Sequence, residues 1–511
     1  MLTMLGSPRQ FCDGITRRAT LQAGSIAALG GFGLPQLLQA EQSRPDQPWN
    51  GKAKSVICLY LLGGAPSQDM YDLKPDASAD VRGEFNPIPT NVPGMDICEL
   101  LPKHAQWMDR SAIVRSINHK AGCHNCIPSY TGWEVPQTNL LEVSDGIPPS
   151  MGSVCEYLGG GKADSPAYVY MPCYLGWGQL FRRPGPEAGF LGTRFNPLYT
   201  ECSPYVSNPP EQAYKPQPLR GMPQIPNTAL KDGITVDRLN ARQSLLQQLD
   251  AEQFRLERQG TLDGFNRQQE RAWGLLTSSQ VRDAFDLDQV DPKVRERYTP
   301  TLFGQSALIA RRLVETGVRF INVTWDCYWE RLKLQLHCWD THSQNFNLMR
   351  DYNLPYLDAV YSALMQDLDE SGLLDETLVL VMSDFGRTPK INKNAGRDHW
   401  TFCYSMLFSG AGIKGGTVYG ASDGQAAYPA INPVSTSDIC STIYETLGID
   451  HKTHVYDKLG RPMSISHGGS PIRDIMACLK WFMEAAPRSR DPPHPRPGGQ
   501  LTGGNRPSLA A

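Results

Sequence analysis

The stretch SVICLYLLGGAP, residues 55–66, decides the fold class of this chain. It is a continuous apolar run with β-branched members, and it stops abruptly at Gly63 and Gly64. Such a run is typical of a central strand that is buried on both faces of a parallel sheet. We therefore expect Asp69 and Asp72, which follow it, at the carboxyl end of a strand, where ligands bind in open α/β sheets.

Further strands and helices alternate along the chain. The apolar runs that predict strands are residues 111–116, 318–325 and 377–382, and the helical patterns are residues 301–316, 351–372 and 435–447. This alternation predicts α/β layers. Residues 205–230 are rich in Pro, Asn and Gln, and residues 236–288 have helical spacing. We interpret 205–300 as a Pro-rich and helical insertion.

The two ends of the chain differ in composition from the middle. Arg17 and Arg18 precede a mildly apolar, Gly- and Ala-rich run, which is typical of a Tat export signal within residues 1–40. Residues 41–486 would then form the folded domain, and the Pro- and Gly-rich tail at 487–511 is predicted to be disordered. We expect a periplasmic or extracellular protein with no transmembrane segment in the mature chain, because the apolar run is too short and too weakly apolar for a span.

The net charge and the cysteine content indicate which partners and which covalent cross-links to expect. The 511 residues carry a net charge of −3, so we expect no nucleic-acid partner. Thirteen cysteines are scattered along the chain, and an exported protein can form disulfides. Cys58 lies in an apolar strand and is predicted to be a buried free thiol. The pairing among the others, which include Cys123, Cys126, Cys155, Cys173 and Cys202, stays open.

Four groups of carboxylates and histidines follow predicted strands. They are Asp69 with Asp72, Asp340 with His342, the segment Asp384–Arg387, and Asp398 with His399. Mixed Asp and His ligands suit zinc, manganese or iron, and carboxylates alone suit magnesium or calcium. Two such ions could clamp the attacking and leaving oxygens of a displacement at phosphorus or sulfur. Each residue also has a structural alternative, such as a helix cap for Asp69 or a core histidine for His342.

Long motifs in these regions resemble a known family. They read RGEFNPIPTNVPGMDICELLPKHAQWMDRSAIVRSINH, WDTHSQNF and SDFGRTPKINKNAGRDHWTFCYSMLFSGAGIKGGTVYGASD. These motifs resemble the DUF1501 family of exported bacterial proteins, over roughly residues 50–200 and 300–470. That family is similar in fold to the alkaline phosphatase superfamily, which includes phosphatases and arylsulfatases. The resemblance implies an alkaline-phosphatase-like three-layer α/β/α sandwich.

The resemblance also implies a function and a cofactor. It implies an exported hydrolase of sulfate or phosphate esters that uses one or two divalent ions of calcium, zinc, magnesium or manganese. The substrate would be a small anionic ester or a sulfated or phosphorylated glycan. The implied metal ligands are Asp69, Asp340, His342, Asp384, Asp398 and His399, with Asp326 as a positional rival of Asp340.

Two departures from the family pattern affect this ligand set. Phe385 stands where the superfamily has a histidine, and Gln68 stands where the DUF1501 pattern usually has one. A replacement ligand would then come from His124 or His119. Arg387 is expected to bind an anionic group, since its fork of donors suits phosphate or sulfate.

The nucleophile is sought in the stretch HKAGCHNCIPSYTGW, residues 119–133. Cys126 begins a Cys-Ile-Pro-Ser segment that resembles the core that sulfatases convert to formylglycine, but Tyr130 replaces its arginine. Without that arginine, Ser129 and Thr131 are at least as plausible as Cys126. Two other classes stay open: a non-catalytic envelope or polysaccharide-binding protein on the same fold, and a secreted structural protein stapled by disulfides.

Overall fold

A computed structural model describes residues 51–134, 143–161, 165–206, 218–226, 279–332 and 338–477. The predicted export signal, the predicted disordered tail and most of the predicted insertion at 205–300 lie outside these residues. The domain boundaries proposed from the sequence therefore stay predictions. Within the described part, no helix has both the length and the apolar character needed to cross a bilayer.

Short strands and helices alternate through the described residues. The strands are β1 (Ser55–Leu61), β2 (Pro87–Pro89), β3 (Asp96–Cys98), β4 (Ser111–Asn118), β5 (Tyr168–Met171), β6 (Leu198–Tyr199), β7 (Phe320–Trp325), β8 (Thr377–Ser383), β9 (Gly386–Arg387), β10 (His399–Trp400), β11 (Tyr404–Gly410), β12 (Thr417–Tyr419), β13 (Ala421–Ser422), β14 (Pro429–Ile431), β15 (Val434–Ser435), β16 (His454–Tyr456) and β17 (Pro462–Ser464). The α-helices are α1 (Ala79–Arg82), α2 (Ile127–Thr131), α3 (Met151–Tyr157), α4 (Ser279–Phe285), α5 (Pro292–Arg297), α6 (Leu302–Thr316), α7 (Asn345–Leu348), α8 (Leu354–Glu370) and α9 (Thr436–Leu447). A π-helical turn, Met349–Asn353, joins α7 to α8.

One large sheet organises these elements. Its strand order is β12-β4-β11-β8-β1-β7-β5-β6, and β15 also pairs with β4. β1 lies in the middle and runs parallel to β7 on one side and β8 on the other. The prediction that residues 55–62 contain a central parallel strand is therefore confirmed. β11 is antiparallel to both β8 and β4, so the sheet is mixed rather than fully parallel.

The residues of β1 alternate between two apolar cores, one on each face of the sheet. Ile57 and Leu59 face the core that contains α6 and α8, and Val56 and Tyr60 face the core that contains α3 and α9. Because helices cover both faces of the sheet, every residue of β1 is buried. This explains why the β1 sequence is a continuous apolar run. The predicted α/β class and the three α/β/α layers are confirmed.

Capping residues set the ends of the two clearest predicted helices. The Thr301 side chain accepts a hydrogen bond from the Gly304 N–H at the start of α6, and Gly317 ends it at φ 89°. Ser435 and Asp438 form a capping box at the start of α9. β1, β7 and β8 run parallel to one another, so their carboxyl ends all lie at the same edge of the sheet.

Candidate metal centre

A buried carboxylate fastens the ends of β1 and β8 together. The backbone N–H groups of Gly63 and Gly64 both donate to Asp384 Oδ1 at 2.9 Å. Gly63 and Gly64 have φ of 109° and 89°, values that favour glycine. His119 Nε2 lies 3.0 Å from the Asp384 carbonyl oxygen. Burial raises the pKa of Asp384, although the bond from Gly63 opposes this. The Asp384 side chain therefore links the end of β8 to the backbone that follows β1, and His119 contacts the Asp384 backbone.

Asp340 lies beside this edge and gathers three histidines around its carboxylate. His399 Nε2 is 2.9 Å and His342 Nε2 is 3.1 Å from Oδ1 of Asp340. His124 Nε2 lies 3.5 Å from the other oxygen, Oδ2. These four side chains come from three separate segments of the chain, and they form the cluster that we call the Asp340 cluster: His124, Asp340, His342 and His399.

The spacing of the Asp340 cluster fits a divalent metal ion. Nitrogen and oxygen ligands lie about 2.0–2.2 Å from zinc, so two ligands of one ion lie about 3 Å apart. The Nε2 atoms of His342 and His399 lie 2.8 Å apart, and each is close to Asp340 Oδ1. One ligand atom each from His124, Asp340 and His399 also lies within 4.8 Å of the others. Two imidazoles and a carboxylate suit zinc, manganese or iron.

The electrostatics of His124 and Asp340 favour the protonation states that a metal requires of them, whereas the hydrogen bond to Asp340 raises the pKa of His342. Burial lowers the pKa of His124 to about 3, and the positive charge of Arg183 acts in the same direction. Burial alone would raise the pKa of Asp340, but the hydrogen bonds from His342 and His399 and the charge of Arg387 hold it well below its usual range. A neutral imidazole thus faces an ionised carboxylate, which is the pairing that a cation binds.

Neighbouring side chains fix the orientation of the histidine rings. Asp398 Oδ1 lies 2.7 Å from His342 Nδ1, which leaves Nε2 facing the cluster. This carboxylate–histidine pair is how metal-ligating histidines are commonly held. Phe385 packs edge-on against His124 and His399, with ring centroids 5.2 and 4.8 Å apart. Phe385 cannot bind a metal itself, but its ring contacts help to orient the rings of His124 and His399.

Arg387 holds Asp340 in place from inside the protein. The side chain is fully buried, and Nη2 lies 2.5 Å from Asp340 Oδ1. Its other donors go to the carbonyl oxygens of Gly63, Gly64, Trp339 and Arg397. Because these acceptors occupy its fork, the structure places Arg387 as a positioning residue behind Asp340, whereas the sequence suggested an anion-binding arginine.

The other acidic candidates lie outside the cluster. Both oxygens of Asp69 pair with Arg397, at 2.8 Å each, and both residues are fully buried. Asp326 accepts hydrogen bonds from the backbone of Gly178 and Cys327. Burial raises the pKa of Asp326. The sequence predicted Asp69 and Asp384 as ligands. Among the described residues, neither carboxylate has a hydrogen bond or ion pair with the three histidines, because Asp69 pairs with Arg397 and Asp384 accepts from Gly63 and Gly64.

The three nucleophile candidates are buried in and beside α2. Ser129 Oγ lies 2.7 Å from Tyr60 Oη and donates to the Cys126 carbonyl oxygen at 2.8 Å, and Thr131 Oγ1 donates to the Ile127 carbonyl oxygen. Burial raises the pKa of the Cys126 thiol to about 12. Cys126 Sγ lies 4.0 Å from Asp384 Oδ2. Cys126 Sγ also donates to the His124 carbonyl oxygen at 3.8 Å. Among the described residues, none of the three groups has a hydrogen bond to a side-chain atom of the Asp340 cluster.

Sequence reasoning missed Arg183. Its Nη1 donates to the His124 carbonyl oxygen at 2.9 Å, while Nε and Nη2 donate to Gln179 Oε1. The side chain is 5% exposed, and no carboxylate of the described residues lies within ion-pair distance of it. No motif points to it, because His124 lies 59 residues away in the chain.

Comparisons with known proteins add a family and several distant structures. The family model described as "Protein of unknown function (DUF1501)" matches residues 53–476. No curated protein matches the sequence. The phosphonate monoester hydrolase SpPMH from Silicibacter pomeroyi is 15% identical, with a TM-score of 0.33 over 84% of this chain and 78% of that one.

Two other solved structures have similar values. The PsFucS1 sulfatase from Pseudoalteromonas sp. is 14% identical, with a TM-score of 0.34 over 81% of this chain and 70% of that one. The lipoteichoic acid synthase LtaP from Listeria monocytogenes is 10% identical, with a TM-score of 0.35 over 83% and 78%. Because these identities and TM-scores are low, we assign the fold from the strand order of this chain and not from these similarities.

Proposed function

This chain belongs to the DUF1501 family, and from that premise we propose that it is an exported, metal-dependent hydrolase of sulfate or phosphate esters. The substrate is a small anionic ester or a sulfated or phosphorylated glycan. The similarity in fold between the DUF1501 family and the alkaline phosphatase superfamily supports the reaction class, and the Asp340 cluster supports the need for a metal.

The single observation that carries the proposal is the convergence of Asp340 with His342 and His399. Three donor atoms, Asp340 Oδ1 and the two Nε2 atoms, lie 2.8–3.1 Å from one another. At that spacing the three atoms can serve together as ligands of one divalent ion. The half-exposed His342 opens the cluster to solvent, so an anionic substrate can reach it.

In this proposal some residues bind the metal ion and others orient its ligands. His124, Asp340, His342 and His399 would hold the ion, Asp398 orients His342, and Arg387 positions Asp340. When bound, a divalent cation would polarise an ester oxygen and lower the energy of charge that develops on the transferred group. Arg183 adds a positive charge beside His124 that attracts an anionic ester.

Water is the nucleophile in this proposal. Ser129, Thr131 and Cys126 are buried, and among the described residues none has a hydrogen bond to a side-chain atom of the cluster, so a covalent intermediate on any of them would require the loop to rearrange. In hydrolysis, the water oxygen bonds to the sulfur or phosphorus as the bond to the ester oxygen breaks. The leaving alcohol takes up the proton that the water releases.

A non-catalytic role on the same fold is the second candidate. It is favoured by the burial of all three nucleophile candidates and by Phe385 and Gln68 at positions where ligands are expected. Gln68 is fully buried and donates to the Arg387 carbonyl oxygen at 2.8 Å, so it does not face the cluster. In this case the cluster would bind an anionic polymer without cleaving it.

An ester screen separates the two candidates. The protein is stripped with EDTA, reconstituted separately with calcium, magnesium, manganese and zinc, and assayed on aryl sulfates and on phosphate mono- and diesters. We expect one ion to restore hydrolysis in the wild type and not in His399→Ala. Metal uptake without turnover of any ester would instead support the non-catalytic role.

A further inference from the structure

The ends of β5 and β6 place two cysteines opposite each other. In this parallel pair, Tyr170 lies opposite Tyr199. Cys173 and Cys202 each lie three residues beyond that pair. The pairing continues past the strand ends, because the Thr200 N–H donates to the Tyr170 carbonyl oxygen at 3.1 Å and Thr200 Oγ1 donates to the Pro172 carbonyl oxygen at 2.8 Å.

The two thiols act on each other. The Cys202 thiol lowers the pKa of Cys173, and the Cys173 thiol raises the pKa of Cys202. Neighbouring strands lie about 4.8 Å apart, which falls within the range of about 4.4–6.8 Å that a disulfide needs between Cα atoms. Cys173 is buried and Cys202 is half-buried, so an oxidant can reach the pair from one side.

A second pair lies beneath the Asp340 cluster. Cys327 follows β7, and its Sγ lies 3.6 Å from the Leu62 carbonyl oxygen at the end of β1. Burial raises the pKa of the Cys327 thiol, the neighbouring Cys338 thiol raises it further, and both side chains are buried in the same apolar core. Cys338 precedes Asp340 by two residues, and a Cβ on Gly63, next to Leu62, would lie 2.9 Å from Asp340 Cβ. Both cysteines thus sit where β1, β7 and the Asp340 loop meet.

We propose that Cys173 forms a disulfide with Cys202 and that Cys327 forms a second disulfide with Cys338. In each case two S–H bonds break and one S–S bond forms. The two protons and two electrons pass to a disulfide oxidant, which is reduced to two thiols. The other described cysteines, which include Cys58, Cys98, Cys155 and Cys440, stay reduced.

The two bonds anchor the loops that carry the cluster. The first closes the segment between β5 and β6, from which Arg183 reaches the His124 backbone. The second ties the Asp340 loop to the end of β7. This consequence for the metal centre rests on the proposed function, whereas the bonds themselves do not.

Peptide mapping tests the pairing without any assay of activity. The full chain is equilibrated with oxidised glutathione, denatured, alkylated without reduction and digested with trypsin. Cleavage after arginine and lysine separates Cys173, in peptide 163–182, from Cys202, in peptide 195–220, and separates Cys327, in peptide 320–331, from Cys338, in peptide 334–350.

We expect peptides 163–182 and 195–220 to be linked, and peptides 320–331 and 334–350 to be linked, with Cys58 and Cys440 alkylated as internal controls. Alkylation of all four paired cysteines, or linkage to other partners, would overturn the proposal. As a second readout, dithiothreitol should lower the wild-type Tm by a few degrees and lower that of the double variant Cys173→Ser and Cys202→Ser by less. Equal shifts in the two proteins would contradict the first bond.

Discussion

The Nε2 atoms of His342 and His399 lie 2.8 Å apart, and Asp340 Oδ1 lies about as close to both. These two histidines are 57 residues apart in the chain, so only the folded sheet edge brings them together. Two imidazole nitrogens and a carboxylate oxygen at this spacing can act together as ligands of one divalent cation once the rings are neutral.

His124→Asn should remove one ligand while the loop keeps its shape. His124 has a φ of 61°, a conformation that asparagine also tolerates, but the shorter side chain cannot reach Asp340 Oδ2. We expect metal affinity to fall more than the 10–100-fold typical of outer-shell changes. Isothermal titration of the stripped protein measures this, and an unchanged Kd would remove His124 from the ligand set.

Asp398→Asn should weaken the metal site without abolishing it. Asp398 contacts His342 Nδ1 and not the ligand-facing nitrogen, so its loss frees the ring to turn. We expect a decrease in metal affinity of about 10–100-fold. A loss as large as that of His124→Asn would indicate that Asp398 itself binds the ion.

The pH dependence of metal affinity should report on His342. The hydrogen bond to Asp340, and then that to Asp398, raise the pKa of His342 above its usual value. Since a metal binds only the neutral ring, affinity should fall as the pH drops through this raised pKa. In Asp398→Asn the midpoint should move to lower pH, and titrations across pH 5–8 on both proteins compare the two. A midpoint that does not move would show that Asp398 does not set the charge of His342.

Gly63→Ala should displace Asp340. Gly63 has a φ of 109°, and an added Cβ would lie 2.8 Å from Asp340 N and 2.9 Å from Asp340 Cβ. We expect metal affinity to fall while the far-ultraviolet circular dichroism spectrum is retained. Gly424→Ala is the matched control, because nothing lies within 4 Å of a Cβ there. Equal affinity in the two variants would mean that Asp340 does not define the site.

Asp69→Asn should affect stability and leave the metal site intact. Asp69 and Arg397 are both fully buried, and loss of the carboxylate leaves Arg397 without its ion-pair partner. Breaking such a pair costs about 3–5 kcal/mol, which urea denaturation measures as a lower free energy of unfolding. The exposed pair of Asp80 and Lys390 provides the control, since Asp80→Asn should leave that free energy unchanged. A loss of bound metal in Asp69→Asn would return Asp69 to the ligand set.

The sequence predicted the sheet well because burial dominates its strands. β1 and β8 are continuous apolar runs that only a two-sided core can accommodate, and residues such as Ser435 and Gly317 mark helix ends through their own backbone chemistry. Asp340, His342 and His399 were also predicted as ligands, and the structure brings these three together.

The sequence could not predict the roles of side chains whose contacts are with residues far away in the chain. Asp69 resembles a ligand by position, but its partner Arg397 lies 328 residues away and satisfies both of its oxygens. Arg387 has the residue type of an anion binder, yet the fold surrounds it with carbonyl oxygens. The sequence placed His124 in the ligand set with His119 as an alternative. In the structure His124 Nε2 lies 3.5 Å from Asp340 Oδ2, whereas His119 Nε2 lies 3.0 Å from the Asp384 carbonyl oxygen.

Metal content per chain tests the central claim most directly. Wild type and His399→Ala are stripped with EDTA, reconstituted in parallel with each divalent metal, desalted and measured by elemental analysis. We expect about one tightly bound ion per chain in the wild type and none in the variant. No retained ion in the wild type, or equal retention in both proteins, would contradict it.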